Sequence, residues 1–372
     1  MKRATAAWRS GTRLHLRGGR VAAYGSTTNR AYATDTSKVK VYVTSTTDPL
    51  FNIATEEWIF REGDPTKQTL YLWRNAPTVV IGRHQNPFKE CHLSVMEREN
   101  VVLARRYSGG GAVYQDLGNT NFTFLSNVGA FDKVRNSGIL INALKKRFNI
   151  TASASGRNDI LVDGKKISGS AYKISNGRAL HHGTMLINVD FASLGKILNP
   201  DKAKLKSKGV DSVQARVQNL KDLNPEVDHE SMCDALVEEF YKTYEDRCEI
   251  EYLKHEMLAS IPSLANTYAT LQDWKWRFGE TPAFEHSLEK RFTWGNIDLL
   301  INAKNGRITE VKIFSDSLYP QMIDDLTLAL HGRTYDKQGV TEAIEATQSK
   351  MKEVDNVEAN LEELKEWLVH AM

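Results

Sequence analysis

The sequence predicts an α+β fold, with a large domain of mixed or antiparallel sheets followed by a smaller α+β C-terminal domain. Strand-like and helix-like runs interleave along the chain without a regular βαβ period or an internal repeat. Two pairs of apolar runs turn on Asp163-Gly164 and Asn305-Gly306, dipeptides that accept positive φ at both centres of a type I′ hairpin. A chain of 372 residues, 41% of them hydrophobic, can bury more than one core.

Lys38–Val43 alternates and is β-branched enough for a first strand. Asn52–Phe60 has a mixed amphipathic face and reads as a helix. Leu70–Trp73 and Thr78–Ile81 are short strands around Pro77, and Val101–Ala104 and Asn121–Leu125 are strands on either side of a glycine run. Gly138–Phe148 is helical, Asp159–Val162 and Lys165–Ser168 form the first hairpin, and Met185–Val189 is a further strand. Ala192–Leu198 is a short helix, and Cys233–Thr243 is an amphipathic helix that closes the larger domain, residues 38–252. Mixed charge, Pro262 and weak periodicity place a linker at 253–265. Residues 266–372 then hold the hairpin Ile297–Ala303 and Arg307–Phe314 and two helices, the last with Leu361, Leu364 and Leu368 on one face.

Cys91, Cys233 and Cys248 are too few and too irregularly spaced for a disulfide framework or a zinc site. No apolar run approaches the roughly 20 residues that span a bilayer, so no membrane association is expected. The first 34 residues lack any acidic side chain and carry Lys2, Arg3, Arg9, Arg13, Arg17, Arg20 and Arg30 among Ser, Thr and Ala. Residues 1–32 therefore read as a mitochondrial transit peptide, which places the mature chain in the matrix. Without those seven positive charges the formal net charge falls from +3 to −4. The mature chain then gives no global electrostatic reason to bind nucleic acid.

The run of greatest chemical interest is Arg105-Arg106-Tyr107-Ser108-Gly109-Gly110-Gly111-Ala112-Val113-Tyr114. Glycines permit positive φ and close backbone approach to a ligand, and the adjacent cations suit a phosphate or carboxylate. By composition it is either an anion-binding loop or a tight structural turn. It is not a Walker A loop, because no Gly-Lys-Ser/Thr follows, and not a dinucleotide fingerprint, because Tyr114 stands where a third glycine is required.

Arg105–Asn119 does not stand alone. It is joined by Phe51–Glu57, Leu72–Asn75, Val79–Pro87, Lys89–Cys91, Ser155–Asp159, Lys166–Tyr172, His181–Thr184, Trp274–Gly279 and Arg291–Gly295. Together these segments resemble the lipoate–protein ligase A family, in order and over most of residues 40–370. The resemblance implies a biotin/lipoate ligase-like catalytic domain. It also implies an ATP-dependent reaction that activates lipoate to lipoyl-AMP and transfers the lipoyl group to a lysine of an acceptor protein. A lipoyltransferase that uses preformed lipoyl-AMP or another lipoyl protein is the alternative. None of the cysteines falls in the site motifs as a nucleophile for covalent thioester chemistry.

By resemblance, Lys166 in Lys-Ile-Ser-Gly-Ser-Ala is the key residue, an ammonium bridging the lipoyl carboxylate and the α-phosphate. Arg106, Gly111, Ala112, Val113, Tyr114, Asn158 and Asp159 are expected to contact the nucleotide, with Asp159 holding Mg²⁺ against the phosphates. Ser108, Gly109 and Gly110, with His182 and Gly183, are expected to wrap the acyl group. The implied ligands are ATP, Mg²⁺ and lipoate or octanoate. The implied partners are apo lipoyl domains of 2-oxoacid dehydrogenase E2 subunits and the glycine-cleavage H protein, and a monomer is expected.

Gln115 stands where many relatives have histidine, which removes a titrating group, and Lys173 replaces a frequent arginine. Strand alternation points Lys165 away from Lys166. By composition the lysine-rich run 202–218 is a solvated basic loop; the resemblance implies that it is mobile until it folds over the adenylate. Trp274 and Trp276 read as a domain interface or core edge rather than a binding surface.

Overall fold

The computed structural model describes residues 36–156, 158–199, 216–278, 286–304, 306–351, 354 and 356–371. The N-terminal basic segment and the lysines of 202–208 lie outside the described residues.

The larger part comprises β1 (Val39–Thr44), α1 (Pro49–Glu62), β2 (Gln68–Trp73), β3 (Thr78–Ile81), α2 (Pro87–Glu90), α3 (Leu93–Arg98), β4 (Val102–Arg105), β5 (Val113–Gln115) and β6 (Asn119–Asn127). It continues through α4 (Lys133–Phe148), β7 (Ser153–Ser155), β8 (Asp159–Val162), β9 (Lys165–Ser175), β10 (Arg178–Leu186), α5 (Phe191–Ile197), α6 (His229–Tyr244) and β11 (Ile250–Leu253). Among the described residues, the main sheet has eight strands in the order β11-β1-β2-β6-β10-β9-β8-β7. It is mixed: β1 pairs in parallel with β11 and β2, and the remaining pairs are antiparallel.

Alternation along these strands builds two different faces. Val41, Leu70, Leu72, Phe122, Phe124 and Met185 point to one side, where α4 and α6 cover them. Tyr71, Trp73, Leu125 and Leu180 point to the other side, against α1. Asp48 caps α1 by accepting from the amides of Leu50 (2.9 Å) and Phe51 (3.2 Å), and Pro49 occupies its first turn. The helix is buried on nearly all sides, which explains its weak amphipathic signal in the sequence.

A second, small sheet has the order β4-β3-β5. The glycine run therefore joins β4 to β5 across β3, not to the longer strand at Asn121–Leu125 as the sequence reading had it. Both expected features of the hairpin at Asp163-Gly164 are present, with φ of 48° and 77°. A second hairpin of the same kind, Asn176-Gly177 with φ of 52° and 70°, joins β9 to β10. The sequence reading missed it although its Asn-Gly signal was visible, and so started the strand after it seven residues late, at Met185 instead of Arg178.

Residues 253–265, read as a linker, carry the buried end of β11, a short 3₁₀ turn at His255–Ala259 and the start of α7 (Pro262–Gln272). Leu264 and Leu271 of α7 join the core beside α1. After α8 (Trp274–Phe278) come β12 (His286–Arg291), β13 (Asn296–Lys304), β14 (Arg307–Ser315), α9 (Pro320–Leu330), α10 (Lys337–Lys350) and α11 (Val357–Ala371). These strands and helices share a core of their own, which includes Ile297, Leu299, Met322, Leu326, Leu361 and Leu364.

Candidate active site

Lys166 lies one residue into β9, and its Nζ is 2.7 Å from Oδ1 of Asp159 on the neighbouring strand. A register shift brings them together: Ile160 pairs with Ser168, yet Leu161 pairs with Lys166, which leaves Ile167 as the extra residue of a β-bulge. Ile167 is fully buried in the core under α4. Without the bulge, Lys166 and Gly169, three residues apart, would face opposite ways. With it, Lys166 shares a face with Gly169, whose cross-strand partner is Asp159. Lys165 is exposed, in line with its expected outward direction. The amide of Gln218 also reaches this lysine, donating to the Lys166 carbonyl at 2.9 Å. Asn158 is fixed to Ser170 in both directions, its side-chain amide donating to the Ser170 carbonyl at 2.6 Å and its own carbonyl accepting at 2.8 Å.

The glycine loop lies against the same strand. Gly110 adopts φ of +88°, and the nearest approach of β9 to the place of its missing Cβ is Ala171 at 3.5 Å. Ala171 is two residues beyond Gly169 and so faces the same way. Arg106 holds the loop from beneath: its guanidinium donates to the carbonyls of Val80 (3.0 Å), Gly109 (3.1 Å) and Gly111 (2.9 Å) and to Ser108 Oγ (3.0 Å). It is almost wholly buried, and burial pushes its pKa down to about 10, so it stays charged at neutral pH. From above, the amide of Gly110 donates to the carbonyl of Ser317 at 2.9 Å, and a Cβ on Gly109 would overlap that same carbonyl. The segment after β14 therefore closes onto the loop, and the Ser315 amide donates to the His84 carbonyl at 2.9 Å.

Behind the loop is a buried polar chain. Ser108 Oγ is 2.7 Å from His182 Nε2, and His182 Nδ1 is 2.7 Å from Glu56 Oε1. The same carboxylate oxygen accepts from Thr123 Oγ1 (2.6 Å), which in turn accepts from the indole N–H of Trp73 (3.2 Å). Thr123, His182 and Ala171 lie in one row across the sheet, which sets this chain on the face of Lys166 and Gly169. Glu56, Thr123 and Gly169 were not singled out in the sequence. Glu56 lay in plain view in the motif Phe51–Glu57, but only α1 brings it to His182.

The remaining expected residues are less uniform. Tyr114 turns its ring into the core of the small sheet, where burial raises its pKa to about 12. Gly183 faces away from the site; a Cβ there would meet the Phe122 ring at 2.6 Å. The two histidines of the 181–182 pair diverge. His181 is buried among Phe122, Phe124 and Tyr172 on the opposite face, neither ring nitrogen has a partner among the described residues, and burial lowers its pKa to about 3. Gln115 is held in a buried amide chain, its Oε1 accepting from Asn75 at 2.8 Å and from Asn121 at 3.4 Å.

Lys173, on the same face of β9 as Ala171 and Gly169, donates to both oxygens of Glu57 at 2.8 and 2.6 Å. A cleft of about 710 Å³ opens there, lined by Glu57, Phe60, Arg61, Tyr107, Lys173 and Trp276, among others. Lys166 is not part of that lining. Trp276 belongs to an internal contact: its indole donates to the Arg105 carbonyl at 2.9 Å and its ring lies 4.6 Å from that of Tyr107. Trp274 instead is exposed and stacks on Phe278.

No cluster of three or more His, Cys, Asp or Glu among the described residues forms a self-contained metal site. Asp159 offers one carboxylate, already facing an ammonium. That donor set fits a hard cation only if substrate phosphates supply further oxygens.

Comparisons with known proteins identify the family. Residues 48–241 match the family model of the lipoyl protein ligase A/B catalytic domain, and residues 281–368 match that of the bacterial lipoate protein ligase C-terminus. The chain is 47% identical over 340 residues to lipoate-protein ligase A of Psychrobacter cryohalolentis, covering 90% of this chain and 99% of that protein. P. falciparum LipL1, solved in complex with lipoate, superposes with a TM-score of 0.79 at 34% identity, covering 89% of this chain and 99% of that one. A lipoate-protein ligase A bound with ATP gives a TM-score of 0.55 at 25% identity over 65% of this chain and 98% of the other.

Proposed function

The chain belongs to the lipoate–protein ligase A family and is a lipoate–protein ligase, and we propose that Lys166 is the cation around which both of its half-reactions are arranged. Joining a carboxylate to an amine is uphill without activation. Lipoate and ATP therefore form lipoyl-AMP and pyrophosphate, and the acceptor lysine then attacks the acyl carbon and releases AMP. Negative charge grows on phosphoryl oxygens in the first step and on the acyl oxygen and AMP in the second. A fixed ammonium stabilises each of these without forming a bond. The observation that carries this reading is the placement of Lys166, beside Gly169 and on the strand face that meets the glycine loop.

On this reading, ATP and lipoate meet between β9 and the glycine loop, with Ser108 and His182 along the acyl group. An Mg²⁺ ion would be held by Asp159 together with oxygens of ATP, and would supply further charge neutralisation. The acceptors are lipoyl domains of 2-oxoacid dehydrogenase E2 subunits and the glycine-cleavage H protein. The mature enzyme, a monomer beginning near residue 33, works in the mitochondrial matrix. Residues 38–252 carry the chemistry, and those after 266 form an accessory domain. A fluorescent protein fused behind residues 1–32 should enter mitochondria; diffuse cytosolic signal would remove the address.

The principal test incubates residues 33–372 with lipoate, Mg-ATP and apo H protein, in parallel with a reaction supplied with lipoyl-AMP. Lipoylation in both, followed by mass, is expected, and Lys166→Ala should lower the ATP-dependent rate by about 10²–10³-fold or more. Modification only with lipoyl-AMP would make the chain a transferase that depends on another protein for activation.

A further inference from the structure

Gly169 has no conformational need to be glycine. It lies within β9, and it is absent from the positions with positive φ. What it lacks is space: a Cβ at 169 would stand 2.5 Å from Lys166 Nζ and 2.7 Å from its Cε, with Asp159 Oδ1 at 3.9 Å. The lysine side chain lies along its own strand and fills the volume that any other residue would claim. We propose that Gly169 is a positioning residue, the seat that fixes the Lys166 ammonium against Asp159 and toward the glycine loop.

Two features of the strand make the seat. The bulge at Ile167 turns Lys166 onto the face of Gly169, and the burial of Ile167 in the opposite core anchors that bulge. The missing Cβ then lets the four-carbon stem lie flat along the strand, a placement that any larger residue at 169 would exclude. A methyl at 169 meets only the far end of a flexible chain, so the fold can accept it. The ammonium, however, must leave. This inference rests on the reading of Lys166 given above.

A double-mutant cycle separates the two claims. The probe is a non-hydrolysable sulfamoyl analogue of lipoyl-adenylate, titrated against the full mature chain as wild type, Gly169→Ala, Lys166→Ala and the double variant. Gly169→Ala alone is expected to weaken binding tenfold or more, whereas adding it to Lys166→Ala should change affinity less than twofold. Equal loss in both backgrounds, or no loss from Gly169→Ala when Lys166→Ala does lose affinity, overturns the positioning role alone. Unchanged affinity in Lys166→Ala overturns the reading of Lys166 and this inference with it. Melting temperature gives a second cycle that needs no ligand. Any drop caused by Gly169→Ala should disappear when Lys166 is also Ala; a drop that persists means that the methyl clashes with something else, and refutes the seat.

Discussion

Ser108 Oγ and His182 Nε2 lie 2.7 Å apart, which ties the glycine loop to the centre of the main sheet through one hydrogen bond. With the ring proton assigned to Nδ1, every donor along this chain finds an acceptor. Arg106 Nε–H donates to Ser108, Ser108 to His182, and His182 to Glu56, which also accepts from Thr123. Such a chain is stable only while complete, because each buried group left unpaired carries its full desolvation cost.

Glu56→Ala is therefore expected to destabilise the protein by about 1–3 kcal/mol for each partner it strands, His182 Nδ1 and the Thr123 hydroxyl. Urea unfolding should show a lower midpoint at unchanged slope. A midpoint equal to wild type would mean that water replaces the carboxylate and that the chain is not closed.

Arg106→Lys should fail to substitute. One ammonium cannot reach the carbonyls of Val80, Gly109 and Gly111 together, a task that needs the planar fork of the guanidinium. The expected result is a lower melting temperature and at least a tenfold rise in KM for ATP as the loop loosens. Wild-type kinetics in the lysine variant would contradict this account.

Two glycines give opposite predictions for the same substitution. Gly82→Ala would drive a methyl into the carbonyl oxygen of Gly110, backbone that cannot easily give, and should cost about 1–3 kcal/mol as overpacking while distorting the loop. Gly138 lies inside α4 with nothing within 4 Å of its missing Cβ, so Gly138→Ala should stabilise by about 0.5–1 kcal/mol. Melting temperatures moving in the same direction would refute the contrast.

Acid should weaken the fold before its carboxylates titrate. His181 has its pKa pushed down to about 3 by burial, and that of His229 is lowered to about 4 chiefly by burial and then by Arg74. In the unfolded chain both return toward about 6.5, so below that pH the unfolded state binds more protons. Stability is then fully present above pH 6.5 and lost as pH falls toward the folded values. For His181 the loss between pH 7.5 and 5.5 is about 1.4 kcal/mol, and His229 adds in the same direction. Denaturant midpoints across this range should fall in wild type and fall less in His181→Leu. Parallel slopes would show that His181 does not titrate as buried.

Much of this was legible in the chain. Asp163-Gly164 dictated a tight turn because few other dipeptides accept positive φ at both centres, and Lys166 was placed just beyond it. Apolar spacing gave α4 and α6, each starting a turn late, and the buried face of α11 with Leu361, Leu364 and Leu368. The motifs around Arg106, Asp159 and Lys166 carried the resemblance to the family and, through it, the expected chemistry; residue type alone left the glycine run as an anion-binding loop or a tight turn. α1 was harder, since a helix buried on nearly all sides has little of the periodicity by which helices are read.

What the sequence alone determined was therefore the inventory: which cations, carboxylates and glycines are available, and the local turns that they favour. Only tertiary structure decided which way each one points. One extra residue at Ile167 reverses strand alternation and puts Lys166 over Gly169. Register across β9, β10 and β6 sends His182 to the site and its neighbour His181 into the opposite core. Glu56, 110 positions before Lys166 in the chain, is supplied by α1. Facing and pairing depend on which distant segments share a core, and that is settled by packing all of them at once.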